Sequence, residues 1–386
     1  MTLRILFAGG GTGGHVYPAL TIAKAIKSRH PDAEIHFIGS RRGPDRDLVT
    51  REGFEITTID MMGLERRVSA KSLAALGKAS LGLISAVSLL LRFRPDIVIG
   101  TGGYICGPVL PVARVLSIPV VIQEQNVVPG FTNRVLSRIA KVVFASFEES
   151  KSYFPDPRKV LVVGNPVRPE IILRKRGDGA SSLGLKPDRP TILVYGGSLG
   201  AAAINNAICD AYPDILKIPR IQIIHQTGPR DFERVKGVLQ EKGINAGPGG
   251  DIVLTPYLYD IPSAFAAADL VVMRAGGSVA EVTARGLPAI LIPLAGAPGA
   301  HQERNAQVLE KAGAAIVIPQ ERLSGEVLAS TIVSLFMDPS RLSRMASASK
   351  AIGRPDSVWQ IVDAVEKIIS RTSRARSSST HQKKGS

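Results

Sequence analysis

The sequence repeats one short pattern, an apolar strand followed by a glycine loop and a helix, twice in each half of the chain. The four copies occupy residues 5–14, 97–103, 192–200 and 270–277. Short apolar strands that alternate with helices predict parallel sheets with helices on both faces. We therefore expect two similar α/β units in tandem, and 386 residues are enough for two domains of ordinary size.

Proline and charge placement predict where these domains begin and end. Further strands are predicted at residues 34–38, 120–122, 142–144, 221–225, 252–254 and 289–292. Four prolines between residues 154 and 169 interrupt the pattern and place a boundary near Gly164. We expect an N-terminal domain over 1–164 and a C-terminal domain over 165–350, with a helix at about 356–370 packing back on the first domain. Residues 371–386 are basic and Ser-rich and are expected to form a disordered tail.

A net charge of +15 predicts attraction to nucleic acid, anionic lipid or a phosphorylated substrate. The uncharged run 79–91 lies between two groups of cations: Arg66, Arg67, Lys71 and Lys78 before it, Arg92 and Arg94 after it. The run is shorter than the roughly 18 residues that a spanning helix needs. It is therefore either a helix lying on an anionic membrane surface or an ordinary buried helix with a basic flank. No leader precedes the first strand, so we expect a cytoplasmic protein.

Glycine loops at helix starts present backbone N–H groups and the positive end of the helix dipole, a combination suited to phosphate. No Lys-Ser or Lys-Thr closes the loop 9–14, so the pattern is not that of a nucleotide-hydrolysing P-loop. The second strand ends at Gly39-Ser40-Arg41 without an acid for a ribose, which makes an NAD-dependent oxidoreductase a weaker interpretation.

Six motifs in order resemble the MurG family of peptidoglycan-synthesis transferases. They span residues 10–18, 101–104, 124–126, 165–168, 196–201 and 301–306, and the resemblance extends from about residue 3 to 369. The family implies a GT-B fold, with two Rossmann-like domains facing across a cleft. It also implies the donor UDP-N-acetylglucosamine and, as acceptor, a polyprenyl-diphosphate muramyl-pentapeptide. No metal and no other cofactor is expected.

On the donor side, the resemblance assigns five positions. Ser198 and the amides of its loop would bind the diphosphate, Arg168 would reach the nucleotide, and Glu281 would accept hydrogen bonds from the ribose hydroxyls. The backbone near Leu258 would pair with uracil, and Gln302 would hold sugar hydroxyls. The stretch 274–281 is one residue shorter than the family form.

The opposite wall of the cleft is assigned to the first domain. Residues implied to approach the sugar and the diphosphates are Thr12, Gly13, Gly14 and Asn126. Acceptor-side loops are implied at Gly102, Gly103 and Tyr104. His15 is the candidate base for the acceptor hydroxyl, because its ordinary pKa of about 6.5 suits proton uptake near neutrality. Alternatively, His15 only fixes the loop by a hydrogen bond. Gln123 stands where a histidine often precedes Glu-Gln-Asn, so we expect no base there.

Three other positions admit two interpretations each. Asp45 and Asp47 have the D-x-D spacing of a metal site, but acids are also favoured in the first turn of a helix. His225 faces the donor or ends a core strand. Arg274 contacts a donor phosphate or braces its loop by salt bridges.

Together these features predict an inverting transfer of N-acetylglucosamine from UDP-N-acetylglucosamine to lipid I, forming lipid II, by a peripheral enzyme at the cytoplasmic face of the cell membrane. Inversion follows because a single in-line displacement needs one base and no nucleophilic carboxylate. Other cell-wall synthesis proteins are further candidate partners, whereas nucleic acid is not. The alternatives are a UDP-N-acetylglucosamine epimerase of the same fold and a non-catalytic nucleotide-sugar sensor.

Overall fold

Two α/β units make up the computed structural model, which describes residues 2–41, 43–59, 70–197, 199–247 and 250–382. Unit 1 comprises Met1–Pro166 and Asp356–Ser386, and unit 2 comprises Val167–Pro355. The chain thus changes unit after Pro166, two residues beyond the predicted boundary, and returns at Asp356. Among the described residues, no helix has the length and the apolar content that crossing a bilayer requires.

Unit 1 contains a parallel sheet of seven strands. These are β1 (Arg4–Gly9), β2 (Glu34–Ser40), β3 (Glu55–Ile59), β4 (Ile97–Gly102), β5 (Val120–Glu124), β6 (Val142–Ala145) and β7 (Val160–Val162). Helices follow the strands: α1 (Gly13–Arg29), α2 (Asp45–Arg51), α3 (Ala70–Phe93), α4 (Cys106–Val115) and α5 (Phe131–Leu136). The strand order is β3-β2-β1-β4-β5-β6-β7.

Alternation along β1 shows why this sheet needs helices on both faces. Ile5 and Phe7 are buried in one core cluster with apolar residues of α1, whereas Leu6 joins a second cluster with residues of α3 and α4. Successive side chains of a strand point to opposite faces. A continuous apolar run is therefore the pattern expected of a strand buried on both sides.

Unit 2 repeats this architecture with six parallel strands. They are β8 (Thr191–Tyr195), β9 (Gln222–Gln226), β10 (Ile252–Thr255), β11 (Leu270–Met273), β12 (Ala289–Leu291) and β13 (Ala315–Val317), in the order β10-β9-β8-β11-β12-β13. The helices are α6 (Pro169–Leu173), α7 (Arg176–Ser182), α8 (Ala202–Ile215), α9 (Phe232–Glu241), α10 (Ile261–Ala267), α11 (Val279–Arg285), α12 (His301–Lys311), α13 (Gly325–Met337) and α14 (Pro339–Ile352).

The strand orders explain the four glycine loops. In unit 1 the order reverses between β1 and β4, and in unit 2 between β8 and β11. Each of these four strands is followed by one of the glycine loops. Ligands of open α/β sheets bind beyond the carboxyl ends of the strands at such a switch point. The repeated pattern therefore marks one candidate ligand site in each unit.

The last helix, α15 (Ser357–Gln382), belongs to unit 1. Val358, Ile361 and Val365 enter the core beside α1, and Arg29 at the end of α1 pairs with Glu366. Residues 371–382, which were expected to be disordered, continue this helix. Since no glycine or proline occurs between residues 371 and 382, the sequence contains no residue that would end the helix earlier.

Candidate active site

The carboxylate of Asp45 accepts a hydrogen bond from the first glycine loop of unit 1. Both carboxylate oxygens lie 2.9 Å from the amide nitrogen of Gly11, and Oδ2 also accepts from the Ser40 amide at 2.7 Å. The side chain is almost fully buried, at 1% exposure. Burial raises the pKa of Asp45, while the hydrogen bonds from Ser40 and Gly11 act in the opposite direction.

This geometry decides between the two interpretations of Asp45 and Asp47. Asp45 is turned into the protein and is occupied by backbone amides, whereas Asp47 is exposed. The described residues contain no group of three or more His, Cys, Asp or Glu side chains that could hold a metal ion. Asp45 therefore fixes the conformation of the loop through hydrogen bonds to backbone amides. Because it takes up the Gly11 amide, an anion at this loop would meet the amides of Gly13 and Gly14 in the first turn of α1.

The second glycine loop of unit 1 lies directly against the first. A Cβ on Gly103 would lie 2.5 Å from the carbonyl oxygen of Gly10, and one on Gly102 would lie 2.7 Å from Nδ1 of His15. Both residues also have positive φ angles, +108° at Gly102 and +83° at Gly103. Only glycine fits this contact without strain. Tyr104 adds a further link, since its hydroxyl lies 2.5 Å from Oγ of Ser40.

His15, in the first turn of α1, is fixed through its Nδ1 atom. Nδ1 lies 2.9 Å from the carbonyl oxygen of Thr101, which can only accept a hydrogen bond. With the hydrogen on Nδ1, that atom donates to Thr101 and the lone pair of the neutral imidazole is on Nε2; with the hydrogen on Nε2, Nδ1 accepts from the side-chain amide of Gln125, 2.7 Å away. The first tautomer is the one in which His15 can take a proton through Nε2.

Gln125, which follows β5, connects this histidine to its own helix. Pro18 lies inside α1 and has no N–H for the carbonyl of Gly14, four residues earlier. The Nε2 atom of Gln125 donates to that carbonyl oxygen at 3.0 Å and lies 2.7 Å from Nδ1 of His15. The proline thus frees a backbone acceptor, and a side chain from another strand uses it to hold the turn that carries His15.

A buried carboxylate, Glu124, organises the loop after β5. It accepts from the backbone amide of Asn126 at 2.9 Å, from the Gly130 amide at 3.1 Å and from Nδ2 of Asn133 at 2.8 Å. Burial raises the pKa of Glu124, and these hydrogen bonds oppose that shift. The loop that carries Asn126 is therefore held from inside the unit.

Gln123 is fully buried in β5, and its Nε2 donates to Oδ1 of Asn165 at 2.8 Å. Ser357, at the start of α15, donates to the backbone oxygen of the same asparagine at 2.7 Å. Gln123, which stands where the family pattern often has a histidine, therefore hydrogen-bonds to Asn165 near the end of the first chain segment of unit 1.

In unit 2, the glycine loop after β8 interlocks with the turn after β9. A Cβ on Gly200 would lie 1.9 Å from the carbonyl oxygen of Thr227, and one on Gly228 would lie 2.2 Å from that of Leu199. Both glycines have positive φ angles. The two turns can therefore pack this closely only with glycine at both positions. Ser198, the predicted diphosphate ligand, lies outside the described residues.

A hydrogen-bonded chain that ends on the carboxylate of Asp231 supports this pair of turns. The Nδ2 atom of Asn205, on α8, donates to the carbonyl of Thr227 at 2.8 Å and to Asp231 at 2.6 Å. Its Oδ1 lies 3.0 Å from Nε2 of His225, which must then carry the hydrogen, and Tyr212 donates to Nδ1 at 2.9 Å. Burial lowers the pKa of His225 to about 3. His225 is thus a core residue, as the second interpretation held.

Arg168 and Glu281 form a bidentate ion pair in unit 2. Nε of Arg168 donates to Oε1 at 2.7 Å, and Nη2 donates to Oε2 at 3.0 Å. Tyr195, at the end of β8, lies close to this pair and to Ser278. Burial raises the pKa of Tyr195 to about 12, and the charge of Glu281 adds to the shift. The structure thus brings together two predicted donor-binding residues and a neutral phenol.

The other predicted residues of unit 2 lie in segments that follow strands of the same sheet. The Leu258 side chain is buried after β10. The Oε1 atom of Gln302, in the first turn of α12, accepts from the Leu294 amide at 2.9 Å, which turns the NH₂ group the other way. Arg274 donates to the carbonyls of Ile292 and Pro293 at 3.0 and 3.2 Å. Arg274 therefore contacts its loop through carbonyl groups, whereas one of its two interpretations named salt bridges and the other a donor phosphate.

Sequence reasoning assigned no role to several residues that hold these sites. Asn205, Gln125 and Glu124 are polar side chains buried beside glycine loops. For Gln125, Pro18 is the usable signal, because a proline inside a helix leaves one carbonyl to be satisfied elsewhere.

Comparison with known proteins places this architecture in a family. Residues 5–145 match the glycosyltransferase family 28 N-terminal domain, and residues 191–361 match the glycosyltransferase family 28 C-terminal domain. A Desulforudis audaxviator protein named UDP-N-acetylglucosamine--N-acetylmuramyl-(pentapeptide) pyrophosphoryl-undecaprenol N-acetylglucosamine transferase is 41% identical over 96% of this chain and its own full length. The crystal structure of Acinetobacter baumannii MurG is 31% identical, with a TM-score of 0.73 over 95% of this chain and 99% of that one.

The chain belongs to the MurG family. Its fold class is GT-B, built from two Rossmann-like α/β units. A UDP-GlcNAc 2-epimerase from Neisseria meningitidis, solved with UDP-GlcNAc bound, is similar at a TM-score of 0.62 over 95% of this chain and all of that one. It is only 14% identical, so that likeness shows the shared fold alone. Membership of the MurG family rests on the closer relatives.

Proposed function

We propose that the protein is a hexosyltransferase that moves N-acetylglucosamine from UDP-N-acetylglucosamine to the muramyl sugar of lipid I, with inversion, to form lipid II. The observation that carries the proposal is membership of the MurG family over nearly the whole chain. The glycine loops after β1 and β8, one in each unit, supply backbone amides for two diphosphates, one on the lipid-linked acceptor and one on the donor.

In this reaction the donor binds unit 2. The amides after β8 and at the start of α8 meet the diphosphate, on which negative charge grows as the sugar leaves. Amides that are already fixed in place stabilise that charge without reorganising, and loss of one such donor typically costs about 3 kcal/mol of barrier. Glu281 accepts from the ribose hydroxyls, the backbone at Leu258 pairs with uracil, and Gln302 presents its NH₂ group to the sugar.

The acceptor binds unit 1, where the amides of Gly13 and Gly14 and the loop with Asn126 meet its diphosphate. His15 is the base: Nδ1–H donates to Thr101, and Nε2 removes the proton from the attacking hydroxyl. Because Gly102 and Gly103 have no side chains, the second loop contacts the imidazole of His15 closely and restricts the orientation of the ring.

A direct assay tests the reaction. Purified protein with UDP-N-acetylglucosamine and a lipid I analogue should release UDP and form a disaccharide whose new bond is inverted at the anomeric carbon. Donor alone should give no sugar isomer. An isomer formed from donor alone would favour the epimerase, and binding of the donor without any turnover would favour the sensor.

We also propose that the protein works as a peripheral enzyme at the cytoplasmic membrane face, through a surface on unit 1 that we term the α3–α5 face. Phe131, Arg134 and Val135 on α5 are exposed on one side of the helix, and Arg138 follows at the same spacing. Leu83 and Ile84 of α3 are also exposed, and α4 packs against both helices. Exposed apolar side chains and cations on the same helix suit an anionic lipid surface. Arg66 and Arg67 lie outside the described residues, as do the side chains of Lys71 and Lys78.

Vesicle flotation tests this surface. Neutralising Arg134 and Arg138 with glutamine should weaken binding to anionic vesicles by about 2 kcal/mol, roughly 30-fold, at low salt. High salt should weaken wild-type binding in the same way. The control is Leu173→Ser, which removes a side chain of unit 2 that is 76% exposed, against 67% for Phe131. Binding that resists both salt and the two substitutions would rule out this surface.

A further inference from the structure

We propose that Gln125 is a positioning residue that decides which ring nitrogen of His15 carries the hydrogen. The inference rests on the proposed function, in which His15 is the base, and it deepens that function because only one tautomer can take a proton through Nε2. The side-chain amide of Gln125 stabilises the tautomer with the hydrogen on Nε2. The carbonyl of Thr101 stabilises the other tautomer, so the balance between the two contacts sets the base-competent fraction of His15.

The orientation of the Gln125 amide is the first argument. The side chain is 4% exposed, and its Nε2 atom lies 3.0 Å from the carbonyl oxygen of Gly14 and 3.4 Å from that of Thr101. Both oxygens can only accept, so the NH₂ group and not Oε1 must face them. Within the described part of the chain, the buried Oε1 atom has no hydrogen-bond partner. A buried acceptor without a partner is costly, so the NH₂ group is the reason for a glutamine at this position.

The surroundings of the Nδ1 atom of His15 give the second argument. This atom lies 2.9 Å from the Thr101 oxygen and 2.7 Å from Nε2 of Gln125. The first contact is a hydrogen bond only when Nδ1 carries the hydrogen. The second is a hydrogen bond only when Nδ1 has its lone pair, because an amide nitrogen cannot accept. One hydrogen of the NH₂ group stays on Gly14 in both states, and the other goes either to Nδ1 or to Thr101.

The charges around His15 act on its protonated form and not on the choice between its neutral tautomers. Titratable side chains on the described segments around it include Asp45 on α2, Tyr104 before α4, Cys106 on α4 and Glu124 on β5. Of these, Asp45 interacts electrostatically with His15. The carboxylate attracts the imidazolium, whereas both neutral tautomers have a net charge of zero. The hydrogen bonds at Nδ1, in contrast, distinguish the two neutral forms.

Nuclear magnetic resonance of the full-length protein with ¹⁵N-labelled histidine tests the proposal, because a ring nitrogen has a different chemical shift with and without its hydrogen. The spectrum of His15→Asn identifies the His15 signals. The two competing hydrogen bonds are of similar strength, so at about pH 8.5 at least about a tenth of wild-type His15 should carry its hydrogen on Nε2. Gln125→Met removes the NH₂ group and keeps the length of the side chain. The ratio of the Nδ1–H form to the Nε2–H form should then rise about fivefold.

The pH dependence of transfer gives a second measurement. In the imidazolium both ring nitrogens carry hydrogen, so Nδ1 donates to Thr101 while an N–H of Gln125 faces it. Gln125→Met removes that N–H and so favours the imidazolium, which should move the acid limb of the rate profile to higher pH by up to about 0.7 unit.

The control is Gln123→Met, which removes another fully buried NH₂ group of the same chain segment, one that donates to Asn165. It should leave the His15 signals and the position of the acid limb unchanged. A melting curve for each variant checks folding. If Gln125→Met does not fold, the wild-type spectrum carries the test.

Two results would overturn the proposal. One is a wild-type spectrum in which neutral His15 carries its hydrogen on Nδ1 alone. The other is a folded Gln125→Met protein with the tautomer ratio and the acid limb of wild type. If the tautomers shift as expected but no UDP is released with a lipid I analogue, the proposed function fails while Gln125 still selects the tautomer, so the two failures are distinguishable.

Discussion

The glycine loops after β1 and β8 come from the same sequence pattern, yet different chemistry holds them. In unit 1 the loop rests on the carboxylate of Asp45, and an imidazole, His15, stands in the turn that follows. In unit 2 the loop rests on the Asn205 amide and the neutral ring of His225. Both supports include a carboxylate, Asp45 in unit 1 and Asp231 in unit 2, but unit 1 places its histidine in the first turn after the loop, whereas unit 2 keeps its histidine unprotonated in the core.

This difference suits the two halves of the proposed reaction. The acceptor side must take up a proton, and it places a histidine, held through its Nδ1 atom, in the first turn of a helix. The donor side must stabilise a growing negative charge, and fixed neutral dipoles do so without proton exchange. We therefore expect the pH dependence of transfer to arise in unit 1, and nucleotide binding by unit 2 to be insensitive to pH near neutrality.

The largest expected effect comes from removing the base of unit 1. His15→Ala should lower the transfer rate about 10²- to 10⁴-fold, the range typical of a lost general base. The dissociation constant of UDP should stay the same, because the proposed donor site lies in unit 2. Initial rates with a lipid I analogue and calorimetry with UDP measure the two quantities separately.

His15→Asn is the matched variant, because an amide can keep the contact with the Thr101 carbonyl but cannot act as a base. It should be as slow as His15→Ala. Wild-type rates in His15→Asn would mean that His15 only fixes the loop, and the contrast in proton chemistry between the units would not hold.

A second test concerns what the two loops share, which is close backbone contact. Gly103→Ala adds a Cβ 2.5 Å from the Gly10 carbonyl at a φ of +83°, so the free energy of unfolding should fall by about 3 kcal/mol. Gly200→Ala in unit 2 meets the Thr227 carbonyl at 1.9 Å and should cost a similar amount. Chemical denaturation measures both.

Gly107→Ala is the control, because Gly107 lies inside α4 and a Cβ there would contact nothing within 4 Å. Alanine is the better helix former, so this variant should gain about 0.5–1 kcal/mol. A Gly103→Ala protein as stable as wild type would show that the two loops of unit 1 do not need their close contact.

The fold could be predicted from the sequence because each strand leaves a local signal. The predicted strand at 142–144 is β6 (Val142–Ala145), and the one at 252–254 is β10, because apolar runs bounded by turns have few other structures. The glycine loops were found for the same reason. The end of α15 was missed, since composition favoured disorder while nothing in the chain stops the helix.

The candidate site could be predicted only where a residue acts through its own local motif. His15 follows directly from its loop and helix, but its partners Gln125 and Thr101 come from β5 and β4, far along the chain. For Asp45 and Asp47 the metal-site and helix-start interpretations both stayed open, because spacing does not show which carboxylate points inward. The pairing of Arg168 with Glu281 likewise depends on how two distant segments meet. Spatial pairing of this kind is a property of the packed units.

The smallest effect tests the unprotonated histidine of unit 2 through the pH dependence of folding stability. The folded pKa of His225 is about 3, against about 6.5 in the unfolded chain. Below about pH 6.5 the unfolded chain binds a proton that the folded protein excludes, so folding stability falls as the pH drops. From about pH 7.5 to 5 this one residue should cost about 2 kcal/mol, measured by denaturation at each pH. His225→Gln keeps a donor for Asn205 but cannot ionise, so its stability should change less over this range.

His36 in unit 1 provides the contrast within the same molecule. Burial lowers the pKa of His36 too, but the nearby Glu55 offsets part of that shift. His36→Gln should therefore flatten the pH dependence of folding stability less than His225→Gln. If both substitutions flattened the pH dependence of stability equally, the pKa of His225 in the folded protein would be no lower than that of His36, which lies beside a carboxylate. If instead His225→Gln left the pH dependence of stability unchanged, the imidazole would be protonated in the fold. A cation would then support the glycine loop after β8, and the contrast between the histidines of the two units would be lost.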